Sequence, residues 1–424
     1  MIPFVGPVDA VVVPPGSKSI TNRALLVAAL AEGTSRLHGS LLADDTQAMI
    51  QCIRGLGAEV EIGSDGTTIE VTGVAGSPVS AESLEARQSG TTARFMAGVL
   101  SLVTDPVLLD ADAAMRDRPM GQMFDALRAL GVTISTTDRP DRLPARICGP
   151  VISSGSMPTV MIPGEVSSQF TSGLLLAAPC MPDGLRVCLT GEVVSRPYLS
   201  MTVEVMRSFG ATVDLPDPNT FIVHRGSYEA RTYDIEPDAT AASYFFAAAV
   251  ICGGSVRVDG LGSSSMQGDL GFVDVLASMG ADVTVESHAT TVTAAPLHGV
   301  TADFSQISDT AQTIAAVAVF AEGPTTITGI GFIRRKETDR IAAMVTELRR
   351  IGVEATEHDD GFTVAPGPTV AARIETYDDH RMAMSMALIG LARDGITIAD
   401  PSCVAKTFPT YFEEMERLRP GGPR

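Results

Sequence analysis

A chain of 424 residues, 45% of them hydrophobic, is too long for one ordinary core and too apolar to be disordered, so two domains are the default. Its 31 Lys and Arg against 50 Asp and Glu leave a net charge of −19. With no tryptophan and six tyrosines, that charge argues against a nucleic-acid surface built on phosphate neutralisation or base stacking. No apolar run is long enough for a membrane span, and no cationic-then-apolar signal opens the chain. The six cysteines form no CxxC pair and read as free thiols in a reducing compartment. The expectation is a cytoplasmic protein that engages neither nucleic acid nor membrane.

In chain order, the segment up to Pro14 reads as a strand, and PGSKSITNRALLVAALAEG from Pro15 as a helix that is polar only at its start. The same kind of helix returns five times. It appears as QSGTTARFMAGVLSLV from Gln88, EVSSQFTSGLLLAAP from Glu165, DATAASYFFAAAVICGG from Asp238, SDTAQTIAAVAVFAEG from Ser308 and DDHRMAMSMALIGLARDG from Asp378. A short strand follows each helix and runs into a polar loop. These loops carry Asp44 and Asp45, Arg116 and Arg118, Ser195 and Tyr198, Gln267 and Asp269, Lys336 to Arg340, and Lys406. A second, amphipathic helix closes on a glycine before a β-branched run, at Gly57, Gly131, Gly210, Gly280 and Gly352. A period of about 70 to 79 residues held through the chain means six copies of one supersecondary unit. The pattern predicts an α/β chain of β-α-β-α-β-β repeats, helices on one side of each sheet.

The sixth copy stops at MERLRPGG, where its closing strands should begin. The N-terminal segment is expected to return and complete it. One domain would then hold residues 1–14 and 236–424, and an inserted domain residues 15–235. The chain would cross between them near Pro14–Gly16 and near Tyr228–Glu236, paired crossings that suit a hinge closing on ligand.

Function should lie where the six polar ends converge. In PPGSKSITNR, Gly16 admits close backbone approach, Ser17, Ser19 and Thr21 supply hydroxyls, and Lys18 and Arg23 add positive charge at a helix N-terminus. Such a start suits phosphate or carboxylate, and it also serves as an ordinary cap. EVSSQ (Glu165–Gln169) and VVSRPY (Val193–Tyr198) offer neutral donors and a ring to a polyol. RRKETDR (Arg334–Arg340), YDDHRMAM (Tyr377–Met384) and AKTF (Ala405–Phe408) concentrate cations at recurrent positions. Lys18, Arg118, Arg340, Arg381 and Lys406 together could hold two anions, arginine by forked bonds and lysine as a point charge. Asp309 and Glu337, interleaved with them, read equally as proton-transfer groups and as partners orienting an arginine. No His or Cys spacing supports a metal site.

PGSKSITNRALL, SGTTAR, DRP, SSQF, SRPY, KETDR, DDHRMAM and AKTFP, in that order, resemble the 5-enolpyruvylshikimate-3-phosphate synthase family over essentially the whole chain. The resemblance implies a two-domain inside-out α/β barrel, three units per domain, with the active site in the interdomain cleft. It implies carboxyvinyl transfer from phosphoenolpyruvate to the 5-hydroxyl of shikimate 3-phosphate with release of phosphate, in a monomer needing no metal or organic cofactor. Carried over by motif, shikimate 3-phosphate would contact Ser19, Arg23, Ser167, Ser168, Gln169, Ser195, Tyr198, Asp309 and Lys336. Phosphoenolpyruvate would be held by Lys18, Gly90, Arg118, Arg340, Arg381 and Lys406. Asp309 matches the family's base, and Glu337 and Lys18 its proton-transfer candidates.

Three positions depart from that pattern: Gln88 stands where asparagine is usual, Phe95 where proline is common, and Phe332 where an asparagine touches the shikimate phosphate. The family's inhibitor glyphosate would occupy the phosphoenolpyruvate site, where the bare Gly90 leaves space that an alanine would fill. The related carboxyvinyl transferase acting on UDP-N-acetylglucosamine bears a reactive cysteine in the loop before its ARP, and residues 110–122 here contain none. A non-catalytic anion-binding paralogue would be expected to lose an acid–base residue, yet Asp309, Glu337, Lys18 and Lys406 are all present.

Overall fold

The computed structural model describes residues 3–4, 6–137 and 139–419. Met1, Ile2 and Val5 of the expected N-terminal strand segment, and the closing PGG, lie outside the described residues. The chain forms two compact units, Gly16–Ile235 and Met1–Pro15 with Glu236–Arg424. No helix among the described residues is long and apolar enough to cross a membrane.

At the centre of the Gly16–Ile235 unit stand three helices, α1 (Lys18–Leu30), α2 (Gly90–Val99) and α3 (Ser168–Ala177), buried at nearly every residue. A helix that is apolar all round has no face for water and must sit inside. Backbones of α2 and α3 touch. A Cβ on Gly98 would collide with the Gly173 carbonyl oxygen, and one on Gly173 would lie 2.5 Å from the Arg94 oxygen.

Three four-stranded sheets cover these helices. The first runs Thr232–Asp234, Thr34–His38, Ile69–Thr72, Glu59–Ile62. The second runs Ser83–Glu85, Val107–Asp110, Ala145–Cys148, Thr133–Thr136, and the third Thr159–Pro163, Leu185–Thr190, Thr220–Val223, Val213–Asp217. Each begins with one parallel pair and continues antiparallel. Residues alternate between buried and outward along Leu185–Thr190, as a sheet with one solvated face should. Helices inside and sheets outside make the unit an inside-out barrel.

The other unit repeats the plan around α4 (Ala239–Cys252), α5 (Ala311–Ala318) and α6 (His380–Ile389). Its sheets run Val8–Val12, Gly254–Asp259, Ala289–Thr293, Asp282–Val285, and Thr301–Asp303, Thr325–Thr328, Gly361–Val364, Ala355–His358. A two-stranded pair, Ala372–Ile374 with Ile396–Ile398, completes it.

The N-terminal strand corrects one expectation. It does not complete the sixth repeat, which remains two-stranded among the described residues. Val8–Val12 pairs in parallel with Gly254–Asp259 of the fourth repeat. There it takes the place expected for the strand that precedes α4. That strand, Thr232–Asp234, pairs instead with Thr34–His38 beside α1, so the two strands at the crossings have exchanged sheets. Local packing explains the choice. The Val8 side chain is fully buried in this unit's core, its N–H donates to the Gly253 oxygen at 2.7 Å, and a Cβ at Gly254 would collide with the Val8 carbonyl. Pro15 accepts the Asp238 N–H at 2.8 Å, which brings the end of this segment to the head of α4. The terminus does touch the sixth repeat, through Phe4 N–H to the Leu391 oxygen at 2.7 Å and Arg419 to the Pro3 oxygen at 3.2 Å.

Because two backbones meet at Gly98 and Gly173, Gly98→Ala should lower stability by about 1–3 kcal/mol, the usual cost of forcing volume into a packed core. The urea unfolding midpoint measures this, and a midpoint equal to the parent's would contradict it.

Candidate active site

In the Gly16–Ile235 unit the candidate residues gather at helix starts. Ser17 caps α1, and the next residue, Lys18, pairs its Nζ with Asp45 at 3.1 Å. Asp45 in turn offers its carbonyl to Thr92 Oγ1 at 3.3 Å, which ties the head of α1 to the head of α2. Ser167 caps α3 by accepting the Gln169 N–H at 3.3 Å. The Gln169 amide then bridges to α2, donating to Thr91 Oγ1 at 3.1 Å and accepting from Arg94. Ser168 is buried beside it. The three starts therefore lie at one end of the unit, where unpaired helix N–H groups and the helix dipoles favour an anion.

Arg23 is turned inward. Nε donates to Thr202 Oγ1 at 2.8 Å, Nη1 to the Ser19 oxygen at 2.8 Å, and Nη2 to the Tyr198 oxygen at 3.2 Å and Ser172 Oγ at 3.4 Å. Those four bonds take four of the five guanidinium donors. Burial pulls Arg23 down to about 10, so it still carries its charge at neutral pH. Phe95, the departure in α2, is fully buried with the guanidinium 5.3 Å from its ring, a cation–π seat. Ser195 heads the helix Arg196–Ser208 with a left-handed φ of 54°. Non-glycine strain of this kind persists only where surroundings hold it and concentrates at functional sites.

Gly90 is the first residue of α2. The space beside it, expected to be open, holds the Arg118 guanidinium: a Cβ there would lie 2.8, 2.9 and 3.0 Å from Nη1, Nη2 and Cζ. Glycine lets Arg118 lie directly on the helix start. Gln88 is half-buried just upstream.

The second unit holds an alternating chain of charges. Lys406 Nζ lies 3.1 Å from Glu337 Oε1, and Glu337 Oε2 2.8 Å from Arg340 Nη2. Arg340 Nε donates to Asp379 Oδ2 at 2.7 Å, and its Nη1 lies 3.4 Å from Asp309 Oδ1. Asp309 Oδ2 then accepts Arg381 Nη2 at 2.7 Å, while the Asp309 carbonyl accepts Nη1 at 2.8 Å. Arg340, Arg381 and Lys406 are buried, whereas the Asp309 side chain is 21% exposed. Burial alone would pull Arg340 down, but Asp379, Glu337 and Asp309 together hold it above its ordinary value. Lys336 stands next to Glu337, with its ammonium 5.9 Å from the ring of Phe332, so the third departure supplies a π face rather than an amide.

Asp309 and Glu337, which the motifs left open between acid–base and ion-pair roles, are ion-pair partners here, each through both carboxylate oxygens. Sequence reasoning missed Asp379. It is fully buried, caps α6 by accepting the Arg381 N–H at 2.9 Å, and holds Arg340. An aspartate directly before a helical run was the available signal. Thr202 and Ser172, inside their helices, gave none.

A family model described as EPSP synthase (3-phosphoshikimate 1-carboxyvinyltransferase) matches residues 4–415. A 3-phosphoshikimate 1-carboxyvinyltransferase of Erwinia tasmaniensis is 43% identical over 416 residues, 97% of this chain and 96% of its own length. One of Serratia proteamaculans is 43% identical over 409 residues, 95% of each chain. The solved structure of EPSP synthase from Acinetobacter baumannii superposes with a TM-score of 0.84 at 27% identity, covering 99% of this chain and 97% of that one.

Removing one partner of a buried ion pair strands the other. Asp379→Ala should therefore cost about 3–5 kcal/mol of stability, read as a lowered urea midpoint. A loss under about 1 kcal/mol, the scale of a helix cap alone, would show that Asp379 does not carry the Arg340 charge.

Proposed function

Because the chain belongs to the EPSP synthase family and is a 3-phosphoshikimate 1-carboxyvinyltransferase, we propose that its helix-start residues and its charge chain divide two anionic substrates between them. The reaction adds the 5-hydroxyl of shikimate 3-phosphate to phosphoenolpyruvate and protonates the vinyl methylene to a methyl group; loss of a methyl proton as phosphate departs then restores the double bond. Shikimate 3-phosphate takes Ser19, Ser167, Ser168, Gln169, Ser195, Tyr198, Asp309 and Lys336. Arg23, with most of its donors spent on protein, sets Ser19 and Tyr198 and has one N–H left for the ligand. Phosphoenolpyruvate takes Lys18, Gly90, Arg118, Arg340, Arg381 and Lys406.

The observation that carries this reading is the unbroken run from Lys406 through Glu337, Arg340 and Asp309 to Arg381. Cations already fixed by protein carboxylates need little reorganisation when phosphate charge develops on the leaving group. The carboxylates between them supply acid–base groups within reach of the anions. Asp309 takes the hydroxyl proton, and the Lys18 ammonium, or Glu337 once it has itself been protonated, delivers one to the methylene. The enzyme acts as a cytoplasmic monomer without a cofactor; six unpaired cysteines support a reducing compartment.

Phosphate release tests the substrate pair. It should require phosphoenolpyruvate with shikimate 3-phosphate and be absent with UDP-N-acetylglucosamine as acceptor; the opposite preference would overturn the reading. Asp309→Ala should lower turnover about a hundredfold or more, as for a lost general base, while shikimate 3-phosphate still binds. Near-parental turnover would assign the proton to another group.

Glyphosate should inhibit competitively with phosphoenolpyruvate. A Cβ at residue 90 would push the mobile end of Arg118, so Gly90→Ala should fold normally, raise KM for phosphoenolpyruvate, and weaken the longer inhibitor more than the substrate. Inhibition indifferent to phosphoenolpyruvate concentration would refute this placement.

A further inference from the structure

The head of α6 is reached through a strained corner. Tyr377 and Asp378, directly before the cap Asp379, have left-handed backbones with φ of 56° and 55°. Two consecutive non-glycine residues in that region need an outside hold.

The hold comes from Glu347, on the helix Arg340–Arg350. Its side chain is fully buried, and its carboxylate accepts the Tyr377 hydroxyl at 2.7 Å and the Glu375 backbone N–H at 3.1 Å. Arg350 completes the shell with Nε at 2.8 Å and Nη2 at 3.2 Å. Burial, reinforced by the bond to Glu347, pushes the Tyr377 hydroxyl up to about 12, so it stays a donor at neutral pH. Glu347 lies two turns beyond Arg340, on the same face of the same helix. One rigid element therefore grips the head of α6 twice, Arg340 holding Asp379 and Glu347 holding the corner before it.

We propose that Glu347 is a positioning residue for the phosphoenolpyruvate site. By fixing the Tyr377–Asp378 corner it sets where α6 begins, and so aims Arg381 at Asp309 and Asp379 at Arg340. Glu347 touches no substrate; it acts through backbone and through Arg381. The inference rests on the reading that Arg381 holds phosphoenolpyruvate.

The test compares Tyr377→Phe, Glu347→Gln, the double variant and Arg381→Lys by steady-state kinetics in both substrates and by thermal unfolding. Tyr377 is 41% exposed, and loss of its hydroxyl leaves the ring in place, so that variant should fold even if Glu347→Gln does not. Both single variants should raise KM for phosphoenolpyruvate roughly threefold to tenfold, the scale of a mis-aimed rather than a missing contact. KM for shikimate 3-phosphate and kcat should stay within about twofold. Residues acting as one unit are non-additive, so the double variant should be no worse than Glu347→Gln. A purely structural role would lower the unfolding temperature and leave KM for phosphoenolpyruvate at the parental value, which would overturn the proposal. If Arg381→Lys raises that KM and the corner variants do not, the inference alone fails. If Arg381→Lys leaves it unchanged, the reading of the site fails and takes the inference with it.

Discussion

A guanidinium with 2% of its side chain exposed cannot stand inside a protein unless negative charge surrounds it, and the unit that ends the chain is organised around that requirement at Arg340. Asp379, Glu337 and Asp309 answer it. Each answer has a structural consequence: Asp379 becomes the cap of α6, Glu337 reaches Lys406, and Asp309 brings Arg381 inward. Neutralising one buried arginine thus fixes two further cations and places two carboxylates among them, which is the inventory of an anion site with proton transfer.

The Gly16–Ile235 unit solves the same problem differently. Arg23 is as deeply buried, but its acceptors are hydroxyls and carbonyls of Thr202, Ser172, Ser19 and Tyr198. Neutral acceptors satisfy hydrogen bonds without cancelling charge. That is why burial lowers Arg23 to about 10 while carboxylates raise Arg340. The uncancelled charge joins helix N-termini and Arg118 at the heads of α1, α2 and α3.

Much of this was legible in the residues. Six apolar helices with polar heads announced six repeats, and their heads named most of the candidate side chains, because an all-round apolar helix can be polar only where it ends. Motifs such as KETDR and DDHRMAM then marked the charges. What could not be read is tertiary. The exchange of Val8–Val12 and Thr232–Asp234 between sheets depends on a close approach at Gly254 that no local pattern encodes. The inward turn of Arg23 depends on Thr202 and Ser172, buried polar positions inside other helices. Phe95 reads as a disturbance of α2 until its ring is seen beneath Arg23. Gly90 reads as empty space until Arg118 fills it.

On the proposed reading, substrate anion and protein carboxylate compete for the same cations. Glu337→Gln keeps the shape of the side chain and removes the negative charge beside Arg340 and Lys406. The decisive measurement is the equilibrium dissociation constant of phosphoenolpyruvate for this variant, with shikimate 3-phosphate saturating, alongside its turnover. If Arg340 and Lys406 are the anion site and Glu337 a proton-transfer group, binding should tighten by about tenfold, since a like charge at this range is worth on the order of 1 kcal/mol or more, while turnover falls. Weaker or unchanged binding would show that phosphoenolpyruvate does not sit on these cations.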